Sequence, residues 1–302
     1  MIGPSWLWIP LTLFAAGAQT VRNAAQRRLT DELGTLGATL VRFLYGMPLL
    51  ALWLLAIVAL RDVDSPHLTW SFAAWVVLSA LSQTAGTALL LRAMAARSFA
   101  IGLVYSKSEV IQVALFSIIF LGERTSPFTF AAIALATFGV VLLSPRAKRG
   151  DGGSWADPAA LFGLASGTAF AISVVGYRGA NLALGTTSPF MAAAVTLFWA
   201  QLLQTLLLGA WLLGRNPAAL LGALRAWRLS LFAGSAGASA SLAHVTALAL
   251  EAASHVRTLM LIEVVFTYAV SLRVFREAIS RRELAGIALV VLGVAAIVAT
   301  SG

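Results

Sequence analysis

The chain has 302 residues, of which 60% are hydrophobic and 11% charged, and its mean hydropathy is +0.89. Soluble domains carry about 25% charged residues, so this chain cannot cover a water-facing surface and its exterior must face lipid. The net charge of +9 is read as a topology signal rather than a nucleic-acid footprint, and the absence of Cys excludes disulfides, thiolate metal sites and cysteine nucleophiles.

A bilayer-spanning helix needs about 20 mainly apolar residues, and ten segments qualify in chain order. They are Ser5–Ala24, Leu36–Leu60, Trp70–Ala95, Phe99–Leu121, Phe128–Ser144, Ala159–Leu182, Pro189–Leu213, Leu229–Leu250, Val256–Phe275 and Glu283–Thr300. Long apolar runs without two-residue alternation favour helices over barrel strands. The first span has no Lys or Arg before Arg22, so it is read as a retained helix and not a signal peptide. Connections such as Arg124-Thr-Ser-Pro127 and Thr187-Ser-Pro189 are short and polar, which places function among the helices. Trp6, Trp8, Trp70, Trp155, Trp211 and Trp227 fall near helix ends, where amphipathic rings anchor at the interface.

The chain also matches itself. An offset of 154 positions (263 − 109) brings Glu109 onto Glu263 and Glu123 onto Glu277, in a chain with seven Glu. The same offset superposes Val41 on Val195, Ala93 on Ala247, Val110 on Val264, Ile133 on Ile287, Leu135 on Leu289 and Gly139 on Gly293. The fold class expected is therefore an all-α membrane protein of ten transmembrane helices, as two inverted five-helix repeats. Residues 1–144 form the first repeat, 145–157 a linker and 158–302 the second. Five helices per copy force the second copy to enter the membrane upside down, an arrangement typical of transporters.

These features resemble the EamA-type family of the drug/metabolite transporter superfamily. The resemblance rests on the early arginine of the second span in Ala38-Thr-Leu-Val-Arg42-Phe-Leu, on the Glu109-to-Glu123 and Glu263-to-Glu277 spacing, and on the small residues around Gly139 and Gly293. Such proteins commonly have proline directly after the first glutamate, whereas Val110 and Val264 stand there in this chain. The resemblance implies a central cavity between the halves, lined mainly by helices 1, 3, 4, 6, 8 and 9.

Charge orients the chain. Fifteen Lys and Arg follow helices 1, 3, 5, 7 and 9: Arg22, Arg27, Arg28, Arg92, Arg97, Arg146, Lys148, Arg149, Arg215, Arg225, Arg228, Arg273, Arg276, Arg281 and Arg282. Three, Arg61, Arg124 and Arg178, lie on the other side. The basic side is expected to be cytoplasmic, with both termini outside a plasma (inner) membrane.

Glu109 and Glu263 fall near the bilayer centre, where an ionised carboxylate costs at least about 2.5–3.5 kcal/mol. Each needs a basic partner, a hydrated cavity or a bound proton. Lys107 and Arg257 are the nearby cations. Lys107 is two positions from Glu109 and would point away from it on a helix, so a partner on another helix, with Glu263 the candidate, is expected. Arg257 is instead placed to snorkel to the interface. The two carboxylates either bind substrate cations or carry coupling protons, or else lock helices together. Glu123 and Glu277 are read as helix-end or gate contacts.

Gln112 shares the face of Glu109, His244 is a candidate proton relay, and Gln19, Gln83, Tyr268, Thr84, Gln201 and Gln204 could hydrogen-bond a polar solute. The Gly234-to-Ala240 run reads as a packing surface.

The function expected is a secondary transporter moving a small organic metabolite, an amino acid or another zwitterion or cation, by alternating access, with proton-coupled export the leading mode. The expected partners are that solute, the lipid bilayer and coupling protons, without nucleic acid, in a monomer or homodimer; no cofactor or metal is expected. The alternative is an intramembrane enzyme acting on lipid or peptide, for which no His-Glu-x-x-His, Gly-x-Ser-x-Gly or P-loop motif appears.

Overall fold

A computed structural model describes residues 5–60, 66–96, 105–143, 158–186, 188–270 and 280–300. Glu277, Trp155, the linker 145–153 and the basic residues Arg61, Arg97, Arg146, Lys148, Arg149, Arg273 and Arg276 lie outside the described residues. The described elements are helical. After a short 3-10 turn at Ser5–Leu7 come α1 (Trp8–Leu44), α2 (Met47–Leu60), α3 (Trp70–Ala96), α4 (Glu109–Leu121), α5 (Pro127–Leu143) and α6 (Pro158–Ala183). The second half holds α7 (Pro189–Arg215), α8 (Pro217–Arg225), α9 (Trp227–Leu250), α10 (Ala253–Leu259), α11 (Ile262–Val270) and α12 (Arg281–Thr300). Among the described residues, six stretches are long and apolar enough to cross a membrane: Leu36–Ala59, Trp70–Leu90, Ala160–Ala183, Pro189–Arg215, Trp227–Leu250 and Arg281–Ala299. Helices α4 and α5 are apolar but shorter. Exposed Leu52, Leu55 and Val58 on α2, and Leu206 and Leu213 on α7, fit lipid contact.

Helix boundaries follow local chemistry, and the largest departure from the sequence reading is in α1. Residues 25–33, expected as a loop, are helical, because Ala, Gln, Arg, Leu and Glu dominate there and no proline intervenes. The break comes at Gly34, whose φ of 67° is a left-handed conformation that glycine tolerates best. A second interruption at Tyr45 and Gly46 separates α1 from α2, with Pro48 in the first turn of α2. Helix α7 starts on a cleaner signal: Ser188 accepts from the Met191 amide and Pro189 follows it.

The chain forms two compact units, each drawing on both halves of the sequence. The first comprises residues 1–81 and 176–251, and the second 82–175 and 252–302.

In the first unit α1 packs along α9, and α7 packs against α1, α2 and α9. Small residues make this possible: a Cβ added to Gly234 would meet the Tyr45 Cβ at 2.6 Å and the Gly46 nitrogen at 2.9 Å. Ala25, Leu29, Ala38, Val41, Ala223 and Ala233 form one core cluster, and Leu40, Phe43, Leu208 and Leu212 another. Buried Gln201 of α7 donates to the Phe43 carbonyl at 2.8 Å, supplying a partner beside the α1–α2 interruption. Gln204 likewise donates to the Ala80 carbonyl at 3.3 Å. Both amides thus stitch helices together.

In the second unit α5 pairs with α12, and α4 with α10. The α5–α12 approach is glycine to glycine. A Cβ on Gly139 would lie 2.7 Å from the Gly286 carbonyl, and one on Gly293 would lie 2.7 Å from the Ala132 carbonyl. Ser166 of α6 donates to the Gly86 carbonyl of α3 at 2.8 Å.

Candidate functional site

Neither mid-span glutamate sits in the middle of a continuous helix. A turn at Lys107 and Ser108 precedes α4, and Glu109 is the first residue of that helix. A turn at Met260 and Leu261 separates α10 from α11, and Glu263 lies in the first turn of α11. Each carboxylate therefore stands at the start of a helix, where the helix dipole favours negative charge. Val110 and Val264 occupy the positions after the glutamates, so both breaks form without a proline there.

The two broken segments exchange charges. Lys107 Nζ lies 2.5 Å from Glu263 Oε1. Arg257 meets Glu109 in a two-point contact, Nε to Oε1 at 2.6 Å and Nη2 to Oε2 at 2.8 Å. Arg257 thus turns inward to a carboxylate instead of snorkelling outward. Glu109 is 3% exposed and Lys107 8%. At that burial, charged groups need partners and hydrogen bonds to offset desolvation. The guanidinium supplies both: Nη2 donates to Oε2, and Nε lies within ion-pair distance of Oε1.

The surroundings hold the break in shape. Ser108 Oγ donates to the Tyr105 carbonyl at 2.7 Å and accepts from Gln112 Nε2 at 3.0 Å. Gly167 of α6 admits this turn, since a Cβ there would lie 2.8 Å from Ser108 Oγ and 2.9 Å from the Ser106 carbonyl. Beyond α4, left-handed Gly122 ends the helix and Glu123 Oε2 accepts from the Ala253 amide at 3.1 Å, at the start of α10. Glu123 therefore makes a helix-end contact. Glu109 and Glu123, at the two ends of α4, both engage α10.

Seven of the nine site residues expected from sequence, namely Gln83, Lys107, Glu109, Gln112, Arg257, Glu263 and Tyr268, belong to the second unit. The structure gathers Lys107, Glu109, Gln112, Arg257 and Glu263 into one neighbourhood. Tyr268 is engaged elsewhere: its hydroxyl donates to the Leu143 carbonyl at 2.8 Å and lies 3.2 Å from Glu283 Oε1, at the end of α5 and the start of α12. Gln83 is half-buried on α3. Gln19 on α1 and His244 on α9 belong to the first unit.

Sequence reasoning passed over Ser108, whose role follows from the break before Glu109. It also placed Arg22 in a loop, whereas Arg22 is buried within α1. A basic residue flanked by Thr20, Val21 and Ala25 was the available signal.

Apolar helices long enough to cross a bilayer, with ion pairs between interrupted segments, mark a multi-pass membrane protein. Residues 6–144 match the model of the EamA-like transporter family. Over this segment the chain is similar to that family, which belongs to the drug/metabolite transporter superfamily, and the apolar helices of the described residues are those of a multi-pass membrane protein. A solved crystal structure aligns with 98% of this chain and 95% of its own length, at a TM-score of 0.67 and 16% sequence identity, so the two share a fold. No curated protein sequence matches the chain.

Proposed function

We propose that the protein moves a small organic zwitterion or cation by alternating access between two inverted five-helix repeats, residues 1–144 and 158–302. The observation that carries this reading is the crossed pairing of Lys107 with Glu263 and Arg257 with Glu109, at breaks that precede both glutamates. Four charges summing to zero form a network that a zwitterion can enter without changing its net charge. An ammonium competes with Lys107 or Arg257 for a carboxylate, and a carboxylate competes with Glu109 or Glu263 for a cation. Interrupted helices suit this exchange, because their ends present polar groups away from lipid. Gln112 serves as a hydrogen-bonding neighbour in this reading, and His244 and Gln19 as polar groups of the first unit.

Proton coupling belongs to the same proposal. A carboxylate released from its partner in a dry interior becomes a proton acceptor, since desolvation disfavours its charge. Export with proton exchange then uses Glu109 and Glu263 as alternating sites for solute and proton. The basic side is read as cytoplasmic, with both termini outside; a C-terminal reporter active only on the cytoplasmic side overturns that orientation.

The test is flux in reconstituted vesicles against a panel of amino acids and polyamines. Glu109→Gln and Glu263→Gln are expected to abolish flux of the transported solute or flatten its pH dependence. Full flux with an unchanged pH profile in both variants removes the carboxylates from the mechanism.

A further inference from the structure

The first unit carries a short helix that has no part in the ion-pair network. Helix α8 (Pro217–Arg225) has nine residues, a rise of about 14 Å, less than half of the roughly 30 Å of a bilayer core. Single residues, Asn216 and Ala226, join it to α7 and α9, and both of those helices are long and apolar enough to span. A helix inserted between the ends of two spans lies at the membrane surface. Local chemistry fixes its limits. Pro217 opens it and Asn216 Oδ1 accepts from the Ala219 amide at 3.2 Å. At its far end the Tyr45 hydroxyl lies 3.2 Å from the carbonyls of Ala223 and Leu224.

The helix has two faces. Buried Ala223 belongs to a core cluster with Leu29 and Val41 of α1, and Ala219 and Leu220 pack against the cluster of Leu40 and Leu212. Ala218, Leu221, Leu224 and Arg225, spaced three, three and one residues apart, form the other face and are exposed. The flanking spans expose Leu213 four residues before α8, and Leu231 and Phe232 six and seven residues after it. Lipid-facing surface therefore adjoins α8 on both sides.

Three exposed arginines accompany these leucines: Arg215 at the end of α7, Arg225 in the last turn of α8 and Arg228 in the first turn of α9. Arg215 lies over the Trp211 ring and Arg228 over the Trp227 ring, each guanidinium carbon 5.4 Å from the ring centroid. Both tryptophans are themselves exposed. Tryptophan beside arginine at the end of a span suits the headgroup layer, where an amphipathic ring and a cation are both solvated. Residues 158–250 contain no Asp or Glu, so α7, α8 and α9 bring only positive charge to this surface.

We propose that α8 is a membrane-surface helix that seats Leu221 and Leu224 among acyl chains and binds the phosphate of an anionic phospholipid through Arg215, Arg225 and Arg228. Apolar and basic groups on one surface match the two parts of one lipid molecule. A soluble anion would engage the arginines and leave the leucines in water. This binding needs the membrane location of the chain, but neither the solute nor the coupling of transport.

The chain has no Cys, so a Leu224→Cys variant of the full protein can carry a single bimane fluorophore. It is placed in nanodiscs that mix phosphatidylcholine and phosphatidylglycerol, with the acyl chains of one lipid or the other brominated. Brominated chains are expected to quench the label more than aqueous iodide does. Brominated phosphatidylglycerol is expected to quench at a mole fraction at least about fivefold lower than brominated phosphatidylcholine, the preference that one arginine near an anionic headgroup confers. Replacing all three arginines by Gln should abolish that preference. Arg228→Lys, which keeps the charge, should retain most of it and so separates headgroup attraction from misfolding. Inorganic phosphate at matched ionic strength should leave it intact; its erasure by phosphate would make the arginines a free-oxyanion site and overturn the lipid assignment. Stronger quenching by iodide than by bromine would put α8 in water and overturn the proposal. Shielding from both quenchers would place a protein neighbour, such as a second copy of the chain, on this face and overturn it equally. Equal quenching by the two lipids would overturn the assignment to anionic headgroups.

Discussion

The two units handle buried charge by different means. In the second, opposite charges meet across helices: Arg257 with Glu109 and Lys107 with Glu263. In the first, two arginines make described contacts to neutral oxygens. Arg178 donates to the Leu248 carbonyl at 2.6 Å, and Arg42 approaches the Ser241 hydroxyl. The repeat offset sharpens the contrast. Glu109 and Glu263 correspond to one another, but Arg22 falls on Gly176 and Arg42 on Thr196. The two paired glutamates are thus matched by the offset, whereas Arg22 and Arg42 are not.

The largest test of this contrast removes one partner of the two-point pair. Glu109→Ala leaves Arg257 buried without its carboxylate and should cost about 3–5 kcal/mol of stability, read as a lowered unfolding midpoint in detergent. Glu109→Gln combined with Arg257→Gln should recover much of that loss. If the double variant is as unstable as Glu109→Ala, the pair is not the source of the effect.

In the first unit Arg178→Met removes a hydrogen bond from a charged donor to Leu248 in the last turn of α9, worth about 1.5–3 kcal/mol. A loss equal to that of Glu109→Ala would erase the distinction between the units.

Packing offers smaller effects. Gly139→Ala forces a methyl group against the Gly286 carbonyl and the Val290 amide, both backbone atoms 2.7 Å away. It should destabilise by about 1–3 kcal/mol, in spite of the better helix propensity of alanine. Gly237→Ala meets flexible arginine stems instead, and should change stability by no more than about 0.5 kcal/mol. The order Gly139 above Gly237 is the measurable claim, and its reversal in parallel unfolding experiments would contradict the close approaches described.

The all-helical, membrane-crossing character was legible because apolar length is a strong signal. The α5–α12 pair was marked by Gly139 and Gly293, and both residues face their partner helix at backbone distance. The breaks before Glu109 and Glu263 were not legible. Their usual marker is proline, and in this chain valine follows each glutamate; the turns are held by tertiary contacts, with Gly167 packed against Ser106 and Ser108. Hydropathy therefore joined α10 and α11 into one span. Arg257 was misplaced for a related reason. Its distance from a helix end suggested an interfacial side chain, but the short α10 sets its guanidinium beside Glu109. Tyr268 reads as a mid-span polar residue, whereas its hydroxyl is committed to Leu143 and Glu283. Periodicity along one helix carries no information about the neighbour that occupies a hydroxyl.

The glycine contact between α5 and α12 has a mechanical consequence. Side-chain interfaces can yield, because rotamers rearrange and absorb a displacement. Where Gly139 meets Gly286, backbone touches backbone and no rotamer lies between them. Such a seam transmits force without slack. A twist applied to α12 must therefore turn α5 with it, and the two helices act as a single stiff rod.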